Sequence, residues 1–334
     1  MRTPFPTIRS ASAAAALAIS SSLLAACGGA GSSLSPATGL VGAQSAARTE
    51  NSVAPAATKY TFTTLDDQAD LTFNQLLGIN DSNVIAGYYG IGSKTHPNKG
   101  YTLTSPYGQT DYTNENFPGS FQTQVTGINN SGNTCGFWVD KKGNSHGWTN
   151  IAGTFTSWDD PSGIGTTQFL GINDHSLVVG FYVDGSGLNH GFTLNLANSM
   201  FAEVDPPSGG SNLQATGIND MNDVTGFYTT GSGAVESFIL KMKTFHSYAY
   251  PGSTNTTALG LNEKDEMVGA YVDSSNAMHG FTLTNPIKKP AWQSIDDPNG
   301  VGTTTVNGIN TAGDLVGFYV DSSGNTDGML AVKK

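Results

Sequence analysis

Only two cysteines occur in 334 residues, too few for a disulfide framework to organise the fold. Charge is scarce as well, at 12% of residues, which excludes a disordered chain held open by self-repulsion. No Asp-x-Asp-x-Asp-Gly loop with a distal glutamate is present, so a calcium site of the EF-hand type is absent. Neither a phosphate loop nor a strand-to-helix Gly-x-Ser-x-Gly elbow stands out, and beyond the N-terminal leader the apolar residues show no helical period. What the chain does have is glycine, 42 residues of it, beside 37% hydrophobic residues, a composition that suits a globular all-β domain with many tight turns.

The glycines are periodic. Gly-Ile-Asn starts at Gly78, Gly127, Gly171, Gly217 and Gly308, and Gly260 opens a Gly-Leu-Asn variant, so six copies lie 43 to 49 residues apart. Nine residues after each comes a second glycine, at Gly87, Gly136, Gly180, Gly226, Gly269 and Gly317. A bulky residue follows twelve further on at Trp148, Phe192, Phe238, Phe281 and Met329, and fourteen further on at Tyr101. Within a unit, stretches such as Val178-Val179-Gly180-Phe181-Tyr182-Val183 alternate in hydrophobicity between Asn, Asp, Gly and Ser clusters, which are strand and hairpin signals. Four short strands per repeat of 40 to 50 residues predict a six-bladed β-propeller of four-stranded blades, with a solenoid as the competing fold.

The two ends of the repeat region decide between these. Fourth strands are expected before each triplet, at about 112–117, 155–159, 201–205, 245–250 and 292–296, and one more at Tyr60 to Asp66 before the first triplet. The last repeat has none after its third strand, near Asp327 to Val332. A strand without a blade at one end and a blade without an outer strand at the other predict a ring, closed when the N-terminal strand pairs with the C-terminal blade and covers its edge.

Residues 1–26 have the layout of a secretory signal, with Arg2 and Arg9 ahead of an apolar stretch from Ala11 to Ala26 that is too short and serine-rich to span a membrane. Leu24-Ala25-Ala26-Cys27 resembles the lipobox of bacterial lipoproteins, which implies cleavage before Cys27, its acylation, and a lipid anchor in the membrane. Gly28 resembles the outer-membrane sorting pattern of such proteins and implies an outer-membrane or cell-surface location. Ordinary cleavage to a secreted or periplasmic protein is the alternative. Residues 27–58 are rich in Gly, Ser and Ala and read as a flexible tether, leaving 59–334 as the six-repeat domain. With Cys27 acylated, Cys135 is the one thiol left. It stands where the other repeats carry Ala86, Val179, Thr225, Val268 and Val316, the place of a small buried hydrophobe.

The units resemble the HAF family of probable extracellular repeats, whose pattern runs Gly-Ile-Asn, Val-Val-Gly, His-Ala-Phe. His146-Gly147-Trp148, His190-Gly191-Phe192 and His279-Gly280-Phe281 carry the third element with glycine in place of alanine, while Lys99, Glu236 and Asp327 replace the histidine elsewhere. The resemblance implies an exported repeat protein and names no active site.

Equivalent positions in different blades keep His146, His190 and His279 apart, so they are expected to be structural and not ligands of one ion. The acidic residues form a set. Asp66 and Asp67, Asp159 and Asp160, and Asp296 and Asp297 end fourth strands, as Asp205 does; Asp140, Asp184, Asp273 and Asp321 end second strands. In a four-stranded blade both loops lie on one face of the disk, which is therefore expected to be acidic. Turn formation is the favoured reading, because Asp before Pro, Gly or Ser bonds its own backbone two residues on; binding of Ca2+ or a basic ligand is the other. Once Arg2 and Arg9 leave with the leader, 13 basic side chains oppose 26 acidic ones, so nucleic acid is not an expected partner. The stretch from Gly90 to Lys99 lengthens the first repeat, and its His96 and Lys99 are candidates for specific contacts. A binding or scaffolding module for a protein, peptide or glycan is the preferred function, and a carbohydrate-active hydrolase or lyase the alternative.

Overall fold

The computed structural model describes residues 58–334. The signal, Cys27 and nearly all of the tether lie outside the described residues. Strand β1 (Tyr60–Thr64) comes first. Blade one is then β2 (Asn74–Ile79), β3 (Ile85–Tyr89), β4 (Lys99–Leu103) and β5 (Tyr112–Asn114), with a 3₁₀ turn at Gln109–Asp111. Blade two is β6 (Gln122–Ile128), β7 (Thr134–Val139), β8 (Ser145–Ile151) and β9 (Thr154–Trp158). Blade three is β10 (Gln168–Ile172), β11 (Leu177–Val183), β12 (Asn189–Asn195) and β13 (Met200–Val204). Blade four is β14 (Ser211–Ile218), β15 (Val224–Thr229), β16 (Val235–Lys241) and β17 (Thr244–Tyr248). Blade five is β18 (Asn255–Leu261), β19 (Met267–Val272), β20 (Met278–Thr284) and β21 (Ala291–Ile295). Blade six is β22 (Thr304–Ile309), β23 (Leu315–Val320) and β24 (Thr326–Lys333), completed by β1.

Every blade is an antiparallel meander, and β1 pairs with β24 from Tyr60↔Lys333 to Thr64↔Met329, the closure expected from the chain ends. Adjacent blades touch through single parallel bridges, Ser145↔Thr166, Val235↔Asn255, Met278↔Thr303 and Phe73↔Thr326. This is a six-bladed propeller. Thr58, just ahead of β1, meets blade five: its N–H donates to Gln293 Oε1 at 2.9 Å and its carbonyl accepts from Gln293 Nε2 at 2.7 Å.

The repeated residues now have physical reasons. Each second-strand glycine sits so close to the opposing first strand that a methyl group would overlap a backbone carbonyl, as on Gly180 against Gln168. It also lies directly across from the bulky third-strand residue, pairing Gly180↔Phe192 and Gly226↔Phe238, so the ring lies over the bare backbone. Each first strand carries a bulge just before its Gly-Ile-Asn, and the bulged residues are Leu77, Thr126, Leu170, Thr216, Leu259 and Asn307. They line the central channel with alternating character. Thr126 and Thr216 each bond a carbonyl of the next blade, Phe169 at 2.8 Å and Ala258 at 2.9 Å, and Asn307 bonds Leu76 O at 2.9 Å, leaving three leucines to fill the axis.

The asparagine of each triplet links blades. Asn80, Asn129, Asn173, Asn219 and Asn262 each donate from Nδ2 to the backbone carbonyl of the next asparagine in the series, at 3.0 to 3.3 Å, and Asn310 closes the circle on Asn83 Oδ1 at 2.8 Å. The same side chain accepts backbone N–H groups of its own hairpin turn through Oδ1, as Asn173 does from His175 and Leu177. Gly-Ile-Asn is thus a structural motif of ring assembly.

Candidate functional site

The loops after second and fourth strands share one face, as the meander requires, and each histidine there bridges the two. His146 Nδ1 lies 2.9 Å from Asp159, with Asp140 at 3.9 Å from Nε2; His190 lies 2.7 Å from Glu203 and 3.1 Å from Asp184; His279 lies 2.7 Å from Asp296 and 3.4 Å from Asp273. Each imidazole also stacks on a second-strand ring, Trp138, Tyr182 or Tyr271. For His190 and His279 partial burial opposes the charge, but hydrogen bonds to the flanking carboxylates outweigh it and raise both pKa values. Hydrogen bonds from Ser275 and the turn backbone lower that of Asp273 to about 2.

The second-strand aspartates are turn formers. Oδ1 of Asp184 accepts from Ser186 N and Leu188 N, of Asp273 from Ser275 N and Ala277 N, and of Asp321 from Ser323 N and Asn325 N. Asp160 and Asp297 are buried and do the same for Ser162 N and Asn299 N, and Asp67 for Ala69 N. Among the described residues no three His, Cys, Asp or Glu side chains come together as a metal-ligand set. Oδ1 of these aspartates is thus taken up by turn N–H groups, and carboxylate oxygens of Asp159, Asp184, Asp273 and Asp296 meet imidazoles, whereas Asp297 Oδ2 is buried without a partner. Lys99 occupies the histidine place in blade one and donates to Phe121 O at 3.4 Å, while His96 is exposed and meets its neighbour Thr95.

Blade six departs from the pattern. Asp327 stands in the histidine place, with Asp66 and Asp321 in the flanking ones, so three carboxylates replace an imidazole between two. Burial foremost, then Asp327 and Asp321, raise Asp66 to about 6 despite the hydrogen bond from Gly328 N.

These shifts set a pH dependence. His190 and His279 have folded pKa values above the ordinary 6.5, so their contribution is complete below that value and is lost as pH rises through the raised ones. Asp66, raised to about 6, likewise contributes fully below 3.8 and loses it by about pH 6, whereas Asp273 contributes above 3.8 and loses it toward pH 2. The thermal midpoint is therefore expected to peak at about pH 4, to fall toward pH 6 as Asp66 ionises and to fall further toward pH 8 as the histidines lose their protons. His279→Gln should flatten part of that fall in a calorimetric pH series, and a wild-type midpoint constant from pH 5 to 8 would contradict the assignment.

Gly143-Asn144-Ser145-His146-Gly147 has Gly-x-Ser-x-Gly spacing, but it is a turn that runs into a strand and not a strand-to-helix elbow. Ser145 is buried at the start of β8, its N–H bonded to Gly165 O, and successive strand residues point to opposite faces.

Two features escaped the sequence reading. On the opposite face, Asp81, Asp174, Asp220 and Glu263 ring the channel mouth, each accepting a backbone N–H from another blade: Thr311, Ser131, Asp174 and Asp220. On the face of the histidines, a cleft of about 410 Å3 opens between blades four and five, with Gln214, Phe227, Thr257, Ala270 and Met278 among its walls. The residue after the second-strand glycine was the available signal, for it is aromatic in five repeats and alanine only at Ala270.

Solved structures of similar shape are propeller proteins. A gluconolactonase from Xanthomonas campestris superposes with a TM-score of 0.52 at 9% identity, over 82% of this chain and 90% of that one. A fucose-specific lectin from Aleuria aurantia gives 0.48 at 8% identity over 82% and 93%, and the β-propeller domain of the Trilobed protease from Pyrococcus furiosus 0.47 at 7% over 79% and 97%. At such identities the likeness concerns the fold alone. No protein-family model matches the chain, and neither does any curated protein.

Proposed function

We propose that this chain is an exported, lipid-anchored propeller that binds an extracellular glycan, peptide or protein through its histidine-bearing face. The observation that carries the reading is the cleft between blades four and five: a ligand-sized hollow on that face, mixing amide and hydroxyl groups with apolar walls, as small-molecule sites do. The resemblance of the repeats to the HAF family and of residues 24–27 to a lipobox supports export and anchoring at Cys27. The test is to screen the full chain, solubilised in detergent, against immobilised glycans and peptides. Saturable binding of at least one ligand is expected, and binding to none would defeat the proposal. Cys27→Ser should in addition move the protein from the membrane to the soluble fraction, and unchanged fractionation would defeat the anchor.

A further inference from the structure

The cleft has a cause that can be followed residue by residue. In each blade the residue three before the first-strand glycine lies across from the residue after the second-strand glycine. These pairs are Gln75↔Tyr88, Gln124↔Phe137, Gln168↔Phe181, Gln214↔Phe227 and Thr305↔Phe318. Blade five alone has Thr257↔Ala270, small on both sides. A whole ring is missing from the wall. Tyr88, Phe137, Phe181 and Phe318 are buried, while Phe227, beside the gap, is left partly uncovered.

A polar group is also stranded on the cleft wall. In blade one the Gln75 Oε1 accepts from Tyr88 OH at 2.9 Å, but Gln214 faces a phenylalanine, and its Oε1 has no partner although the residue is 1% exposed; Gln124 Oε1, across from Phe137 in blade two, is likewise unpartnered, but only Gln214 lines the open cleft. Asn189 Oδ1, on the same cleft, is also buried without a partner. Both are acceptors that call for a donor. The residues around the cleft carry no charge, with Asn212, Thr229 and Asn255 adding further amides and hydroxyls.

We propose that this cleft holds one or two units of a neutral sugar; the inference rests on the binding reading above and names the ligand class of that site. Hydroxyl groups both donate and accept, so a sugar edge meets the stranded oxygens and the surrounding amides together, and its C–H face covers the bare ring of Phe227. An anion would find no cation there, and a cation no carboxylate. The volume of about 410 Å3 falls within the range of roughly 300–1,000 Å3 usual for small-ligand clefts. The junction is clamped from the far side of the ring, where Lys241 of blade four bonds Asp223 in its own blade and Asp265 of blade five.

Calorimetric titration of the full chain with glucose, galactose, mannose, fucose, N-acetylglucosamine, lactose and cellobiose tests the proposal, with a parallel panel of short neutral peptides. At least one sugar should bind saturably. Ala270→Phe installs the residue that other blades carry, so it should fold, raise the thermal midpoint and abolish sugar binding. Gln214→Leu should weaken binding about tenfold, the worth of one buried hydrogen bond. Sugar binding untouched by Ala270→Phe would overturn the cleft assignment and leave the binding reading intact. Peptide binding abolished by Ala270→Phe, with no sugar bound, would overturn the sugar class. Silence of both panels would overturn this inference, while the broader screen of immobilised ligands decides the binding reading separately.

Discussion

A chain that starts at Asp67 is expected not to fold cooperatively, whereas one that starts at Thr58 should melt like the full chain. The missing residues form the outer strand of blade six, and their contacts span the ring's only seam between the chain ends. Besides the β1–β24 ladder they include Leu65 N to Gly328 O at 2.9 Å, Thr64 Oγ1 with Tyr319 OH at 2.7 Å, and Lys334 N to Lys59 O at 2.9 Å. Leu65 is buried, and Tyr60 and Phe62 pack on the core of blade six beside Met329 and Ala331. Several hydrogen bonds at about 0.5–1.5 kcal/mol each, with about 1.5–3 kcal/mol for a buried leucine, approach the whole stability of a domain, about 5–15 kcal/mol. Removal also bares the edge of β24, an invitation to pair with other chains. Circular dichroism melts and size-exclusion chromatography of the two truncations check this, and equal midpoints would contradict the closure.

Gly180→Ala is expected to destabilise by about 3 kcal/mol or more, lowering the thermal midpoint by roughly 6–12 °C, whereas Gly78→Ala should cost about 1 kcal/mol or less. The two glycines belong to the same repeat pattern and differ in what stands opposite. A methyl group on Gly180 would collide with the Gln168 carbonyl oxygen, which is backbone and cannot swing aside, and would press on Phe192 Cζ at 3.0 Å. On Gly78 its nearest neighbours are Gly127 Cα and Thr126 O at 3.4 Å, an ordinary contact. Because the obstacle is main chain, trimming the ring in Gly180→Ala/Phe192→Leu should not restore stability. Differential scanning calorimetry of the three variants decides it, and rescue by the smaller ring would show that side-chain crowding, not strand approach, requires the glycine.

Spacing within the sequence determined the blade number, the strand order and the ring closure, because each blade repeats the same local demands: a bulge, a bare backbone under a ring, an asparagine reaching its neighbour. It also put the second-strand and fourth-strand aspartates on one face, since a four-stranded meander leaves no other arrangement. What it could not set was which of those aspartates are engaged and by what. His190 and Glu203 are 13 residues apart in the chain and meet only because β12 and β13 pair in one register. The acidic ring at the far mouth arose likewise, since Asp81 and Thr311 stand 230 residues apart until the ring closes. Ala270 looks like a minor variation along a strand. Only the tertiary structure, by setting it near Phe227 and Gln214 of the preceding blade, turned a missing ring into a cleft that opens onto an unpartnered amide oxygen, because a cavity is a property of neighbours and not of a residue.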